Sequence, residues 1–172
     1  MNSSKPYQPF MRLQTLLYLL LGITIFYMPA NGQEKPPKPI AVTVSTLQHL
    51  NFGTIIPDGP SGGTVTVQSN GIRTSSGAII LPFVGTFCSP ALFELTALRG
   101  TLITILTPPT ILSGNNGGSL NLTLGTPSTG SQFVVRSTTT EIFIGGTLTI
   151  QSLIANPSGF YSGAFTVTFN QN

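Results

Sequence analysis

From Ile40 onward the chain alternates. In IAVTVST, residues 40–46, Ile40, Val42 and Val44 fall to one side and Ala41, Thr43 and Ser45 to the other, the period of a half-buried strand. LQHLNFG (47–53) continues it, with Leu50 and Phe52 two apart and Gly53 behind them. TVTVQSN (64–70) is a second clear strand, and AIILPFV (78–84) is apolar throughout, which predicts a more continuously buried one. ALFELTA (91–97) and TLITIL (101–106) flank Arg99-Gly100 and predict a hairpin. SLNLTLG (119–125) puts Leu120, Leu122 and Leu124 on one face. QFVVRSTTTEIFIGGTLTIQSL (132–153) predicts two strands around Gly145 and Gly146. In GAFTVTFNQ (163–171), Phe165, Val167 and Phe169 share one face, and Ala164, Thr166, Thr168 and Asn170 the other. That segment is expected to close its own domain, with Phe165 and Phe169 in the core.

Between the runs stand IIPDGPSGG, GNNGG and NPSG, dense in the residues that turn a chain. After residue 32 no stretch has helical spacing of apolar positions, and β-branched residues with Gly and Pro oppose helix. About eight short strands at regular intervals predict an all-β fold, an antiparallel β-sandwich of immunoglobulin-like or pilin-like type. Threonine fits the outer faces, being β-branched and tolerant of water.

The N-terminus has a different pattern. Lys5 and Arg12 precede LQTLLYLLLGITIFYM (13–28), and PANGQ then places Ala30 and Gly32 at the −3 and −1 positions of a cleavage site. Residues 1–32 are therefore expected to be a secretory signal peptide. The apolar run is shorter than the roughly 20 residues a spanning helix needs, so no membrane span is expected after cleavage. Residues 33–39, QEKPPKP, form a polar, proline-rich lead, and 40–172 a single domain. The expected location is exported: periplasm, cell surface or extracellular.

Charge narrows the function. After residue 32 the ionised groups are Lys35, Lys38, Arg73, Arg99 and Arg136 against Glu34, Asp58, Glu94 and Glu141. No basic patch or aromatic-basic interleaving is present, so nucleic acid is not an expected partner. A usual domain is about a quarter charged, so solubility here falls to Thr, Ser, Asn and Gly. Such a surface suits a secreted structural protein that makes many lateral contacts.

Catalysis needs titratable groups held together, and four carboxylates with the lone His49 give no such spacing. HLNF lacks zinc-ligand spacing, and DGPSGG lacks the ligands of a calcium loop. GPSGG (59–63) matches G-x-S-x-G formally, but it runs into the strand TVTV, and His49 precedes Ser61. A hydrolase elbow needs a helix there and a later histidine, so the match is turn composition. No catalytic residue, metal ligand or cofactor is assigned, and the chain is not expected to be an enzyme. Asn121-Leu122-Thr123 is a glycosylation sequon in form. Cys88, the single cysteine, reads as a small packed residue within PFVGTFCSPALF, with an interchain disulfide as the other reading.

Three stretches carry a family resemblance: LNFGTIIPDGPSGGTVTVQSNGIRTSSGAI (50–79), IGGTLTI from Ile144, and PSGFYSGAFTVTFNQN from Pro157. In order and spacing they resemble the bacterial secreted domain of unknown function 4402, with its FG, GG-TVTV, VGGTL and G-x-Y-S-G motifs. Ile144 replaces the usual Val, and Phe169-Asn170-Gln171 stands where Val-Asn-Tyr is common. The resemblance implies a β-sandwich similar to pilus subunits and a role in surface structures, adhesion or biofilm. It brings no catalytic residues.

The resulting expectation is a non-enzymatic, exported structural or adhesive protein working through protein partners or self-association. The other reading is a module binding a carbohydrate or surface ligand, such as surface polysaccharide. The interaction candidates are Phe52, Tyr161, Phe165, Val167 and Phe169. If Phe160 and Tyr161 lie in a strand they point to opposite faces, leaving one exposed. The lead 33–39 is too short and too polar to serve as a donor strand for a neighbour.

Overall fold

In GTVTV the side chains of Val65 and Val67 are buried while Thr64 and Thr66 face out, and the same division recurs along SLNLTL and GTLTI. Alternation of this kind forces a sheet to cover one face, and a second sheet covers it here. A computed structural model describes residues 41–44, 48–83 and 87–172, residues 41–44 by their backbone pairing. The signal segment and the lead lie outside the described residues. All that is described belongs to one compact unit, Lys38–Asn172.

The strands among the described residues are β1 (Ala41–Val44), β2 (Ile56–Pro57), β3 (Gly63–Val67), β4 (Arg73–Gly77), β5 (Ile79–Ile80), β6 (Ala91–Thr96) and β7 (Leu102–Leu106), followed by β8 (Thr110–Gly114), β9 (Ser119–Leu124), β10 (Gln132–Val134), β11 (Thr139–Ile144), β12 (Gly146–Ile150), β13 (Tyr161–Ser162) and β14 (Thr168–Gln171). Every pairing is antiparallel. One sheet has the order β13-β8-β9-β12-β3-β4; facing it are β1-β6-β11 and β10-β7-β14, with a small β2-β5 pair. Among the described residues no helix is long and apolar enough to cross a membrane.

Both layers feed one core. Val65, Leu112, Leu120, Leu122, Leu148 and Ile150 come from the six-stranded sheet, and Phe93, Leu95, Ile103, Ile105, Ile142 and Ile144 from the other. The architecture is an antiparallel, sandwich-like all-β fold. Fourteen strands exceed the eight or so legible runs because several are only two or three residues long.

The expected hairpin at Arg99-Gly100 is corrected. β6 and β7 do not pair with each other; β6 pairs with β11 and β7 with β10. Residues 91–106 thus form one bent strand lying against 132–144. Thr96 faces Thr139 and Leu102 faces Val134, so the five residues 97–101 oppose the four residues 135–138. The extra residue is a bulge. Gly100, at φ 88°, donates to the Val135 carbonyl at 2.8 Å. The turn-like composition serves this bend.

AIILPFV is corrected too. Ile79 is buried, but Ile80 is half-exposed and Phe83 is fully exposed. Asp58 donates its amide to the Ala78 carbonyl at 2.8 Å, so Ile79-Ile80 pairs only with the short β2.

The strand pair β11–β12 changes sheets at IGGTL. β11 belongs to one layer and β12 to the other. At the crossing, a side chain on Gly145 would run into the Val67 carbonyl and Gln68 C, and one on Gly146 into Leu122. Two adjacent glycines let three backbones converge at this corner.

The closing segment behaves as its alternation demands. β13 pairs with β8 on the edge of the six-stranded sheet, and β14 pairs with β7 on the edge of the other. Residues 161–172 therefore bridge both layers. Phe165, Val167 and Phe169 pack against the core but are half-buried, because their cover is an edge.

The outer face of the six-stranded sheet is a ladder of hydroxyls. Thr123, Thr147, Thr66 and Thr74 stand in one row across four strands, and Asn121, Thr149, Thr64 and Ser76 in the next. Thr66 and Thr147 are hydrogen-bonded through their hydroxyls at 2.8 Å. The sequon residue Asn121 is exposed on this face.

Candidate binding cleft

The end of the sandwich near β13 is assembled by a network of asparagines. NPSG reverses the chain after β12 and lays it on the GNNGG loop. Asn156, the only buried polar residue among the described residues, accepts from the Gln151 amide at 2.6 Å and donates to the Ser119 carbonyl at 2.6 Å. Asn115 Oδ1 accepts from the Phe160 amide at 2.9 Å, and the Asn115 amide donates to the Phe160 carbonyl at 2.9 Å. Asn116 Nδ2 donates to the Ser158 carbonyl at 2.8 Å. Tyr161 lays its ring over Gly114 and donates its hydroxyl to the Pro157 carbonyl at 2.7 Å. Asn156→Ala removes two part-buried hydrogen bonds, to the Gln151 amide and the Ser119 carbonyl, each contributing about 0.5–1.5 kcal/mol. The expected loss is about 1–3 kcal/mol in urea unfolding; a loss below about 0.5 kcal/mol contradicts this keying role.

Opposite this wall runs the LNFG segment. Arg73 on β4 holds it, its guanidinium donating to the Phe52 carbonyl at 2.8 Å and to the Pro82 carbonyl at 3.2 Å. Asn51 pairs with Ser89 as an isolated bridge, and its side chain accepts from the Gly53 amide at 2.8 Å. Between residues 50–57 and 156–165 opens a cleft of ≈ 890 Å³. Its floor is Leu112, Leu120, Leu122, Leu148 and Ile150. Phe87, Leu153 and Phe160 stand on its margin, with Phe87 87% and Phe160 84% exposed. Among the described residues that line it there is no Asp, Glu, Lys, Arg, His or Cys.

Of the five interaction candidates, Phe52, Tyr161 and Phe165 line this cleft. Val167 and Phe169 do not; they face the core beyond it. Phe160 and Tyr161 divide as strand neighbours should, Phe160 outward and Tyr161 half-buried. Phe87 and Leu153 were not among the candidates. Phe87 sits in an apolar run that reads as core, and Leu153 follows a strand whose pattern gives no reason to stop before it.

The polar groups weighed for chemistry fall elsewhere. Ser61 is exposed in a turn that leads straight into β3, and His49 is exposed. Cys88 is half-buried against the core, its thiol 3.7 Å from the Gly71 carbonyl. Among the described residues no three of His, Cys, Asp and Glu come together. Folding does bring Glu94 and Glu141 directly opposite on β6 and β11, both exposed. Like charges in that position repel, and the pair lies on an open strand face rather than across a cleft.

Fold and cleft together define a sandwich-like all-β domain with an apolar-floored groove whose described lining residues carry no charge. The chain belongs to the family described as Domain of unknown function (DUF4402), whose model matches residues 42–170. No curated protein and no solved structure matches it. The family-like stretches have physical roles here: LNFG and GFYSG form the two walls of the cleft, and IGGTL makes the crossing between sheets.

Proposed function

We propose that this chain is a non-enzymatic, exported structural or adhesive protein, a component of a surface fibre or biofilm matrix that works by associating with protein partners or with itself. The observation that carries the reading is the cleft margin, where Phe87, Leu153 and Phe160 are held out in water around an apolar floor. Exposed aromatic side chains grouped at a groove mark interaction surfaces. Each contributes about 1.5–3 kcal/mol when fully buried, offset by the cost of association. The hydroxyl ladder on the six-stranded sheet offers a second, uncharged contact face. The N-terminal pattern of a signal peptide and the likeness to pilus-type sandwiches point the same way.

The test is made in an expressing bacterium. The wild-type protein is expected in the surface or extracellular fraction, beginning at Gln33 and cross-linkable into multimers. Phe160→Asp is expected to leave export intact and to reduce the cross-linked fraction several-fold. Retention of Met1–Gly32 in a membrane fraction, or multimers unaffected by Phe160→Asp, contradicts the reading.

Binding of a surface polysaccharide is the second reading. Phe87 and Phe160 favour it, since exposed rings beside a groove are a common way to hold a sugar face. A glycan array decides it: absence of binding to any surface polysaccharide counts against this reading.

A further inference from the structure

We infer that the outer edge of β4 pairs antiparallel with the same edge of a second copy of this chain, about a two-fold axis at Ser75. This rests on the reading of the protein as self-associating and supplies a contact separate from the cleft margin. One two-fold contact closes a dimer, and a second lets further copies add on.

The directions of the main-chain groups come first. At the two ends of the β3–β4 ladder, Gln68 donates its amide to the Ile72 carbonyl at 2.8 Å and Ala78 donates to the Gly62 carbonyl at 2.9 Å. Hydrogen-bonded pairs recur at every second position of an antiparallel ladder. Thr66–Thr74 and Thr64–Ser76 are therefore bonded pairs, and Val67–Arg73, Val65–Ser75 and Gly63–Gly77 are the pairs between them. The amides and carbonyls of Arg73, Ser75 and Gly77 thus point away from β3. β4 is the outermost strand on this side of its sheet, and residues 74–77 are all exposed. The Ser75 hydroxyl turns to the Ile79 carbonyl at 3.4 Å, and no other described residue bonds the Ser75 main chain. RTSSG has no proline, lysine or bulge, devices that keep an edge from pairing. β13, at the opposite edge, is only two residues long.

The edge is complementary to itself. About an axis at Ser75, Ser75 meets its own copy and Arg73 meets the partner's Gly77, so all three outward residues find partners at once. The two arginines stand four residues apart along the strands, about 13 Å, beyond a Debye length at physiological salt. On the outer face Thr74 meets the partner's Ser76, and the row Thr123, Thr147, Thr66, Thr74 runs on into the second copy. Within one chain a neighbouring pair of that row is already bonded, Thr66 to Thr147 at 2.8 Å. Five residues a side is a small contact, below the roughly 1,200 Å² of a stable interface. The pair therefore forms where copies are crowded, in an assembly or in concentrated solution, and dilute protein does not hold it.

Disulfide trapping tests this. In a Cys88→Ser background, Thr74→Cys and Ser76→Cys are made as separate proteins, and each alone and the two mixed are concentrated and mildly oxidised. The axis sets position 74 opposite position 76, about 4.5 Å between Cα atoms, within the roughly 4.4–6.8 Å that a disulfide spans. Two copies of position 74 lie diagonally, roughly 8 Å apart, past the limit of about 7 Å. Two copies of position 76 do the same. The mixture is expected to give at least about fivefold more linked dimer than either protein alone. Ser75→Pro added to both removes the outward amide and leaves the β3 ladder, so it should cut the yield about tenfold with circular dichroism unchanged. Should Ser75→Pro unfold the chain, the comparison of mixture with single proteins still decides.

No linking, equal linking in the single proteins and the mixture, or linking in folded protein indifferent to Ser75→Pro would overturn the inference. If the mixture fails to link while surface multimers still depend on Phe160, the edge contact is wrong and the self-association reading stands. If the mixture links while multimers are indifferent to Phe160, the edge contact stands and the margin loses its role. If both fail, the reading falls with the inference.

Discussion

Gly145→Ala should cost about 4 kcal/mol or more, a large share of the roughly 5–15 kcal/mol that holds an ordinary domain folded. Gly145 is buried at the crossing from β11 to β12. A Cβ there would meet the Val67 carbonyl oxygen, with Gln68 C at 2.7 Å and Val67 C at 2.9 Å. Those atoms are backbone of β3 and the turn after it, so they cannot swing aside as a side chain would. Gly125 is the control. It lies beside the same corner, but the nearest atoms to its Cβ are at 3.7 Å, ordinary contact. Gly125→Ala should stay within about 1 kcal/mol of wild type. Urea unfolding of the two variants, or their soluble yields where Gly145→Ala does not fold, reads the difference. Equal stability would mean that the corner relaxes freely and that GGTL has no steric role there.

Phe93→Ala should cost about 3–5 kcal/mol, the range for a large buried aromatic. Phe93 is 6% exposed on β6, and it packs against both phenylalanines of the closing segment. Its ring lies 6.5 Å from Phe165, edge-on, and 5.7 Å from Phe169, tilted. Because Phe165 and Phe169 are half-buried, truncating either should cost less, about 1–3 kcal/mol. A double-mutant cycle on Phe93 and Phe169 should give a coupling of about 0.5–1.5 kcal/mol. Zero coupling would show that β14 does not close its own domain. Alternation alone could not decide that, since a strand donated by a neighbour has the same pattern.

The strands that could be read from sequence are those long enough to show two or three alternations, such as SLNLTL, GTLTI and ALFELT. β2, β5 and β13 have two residues each, and no period can be read from two. The Arg99-Gly100 turn was legible as a bend, but its partner was not. Whether a bend becomes a hairpin depends on what lies beside it, and here residues 132–144, more than thirty positions away, take that place. The exposed position of Phe160 followed from its adjacency to Tyr161. The cleft did not follow from anything local. Its walls are about a hundred residues apart in the chain, and it exists because Arg73 holds one and the asparagine network holds the other. Phe87 was hidden by its apolar neighbours, which a burial argument from composition groups together.

Function rests on whether the exposed aromatic margin of the cleft is used for association. Light scattering of the purified protein across a wide concentration range, alone and with an extract of the host's surface proteins, tests this most directly. The wild type is expected to rise above the single-chain mass with concentration or on adding the extract, and Phe87→Asp with Phe160→Asp to hold it at that mass. A wild-type protein that remains a single chain in both conditions, and that forms no assembly on the cells that export it, would contradict the account.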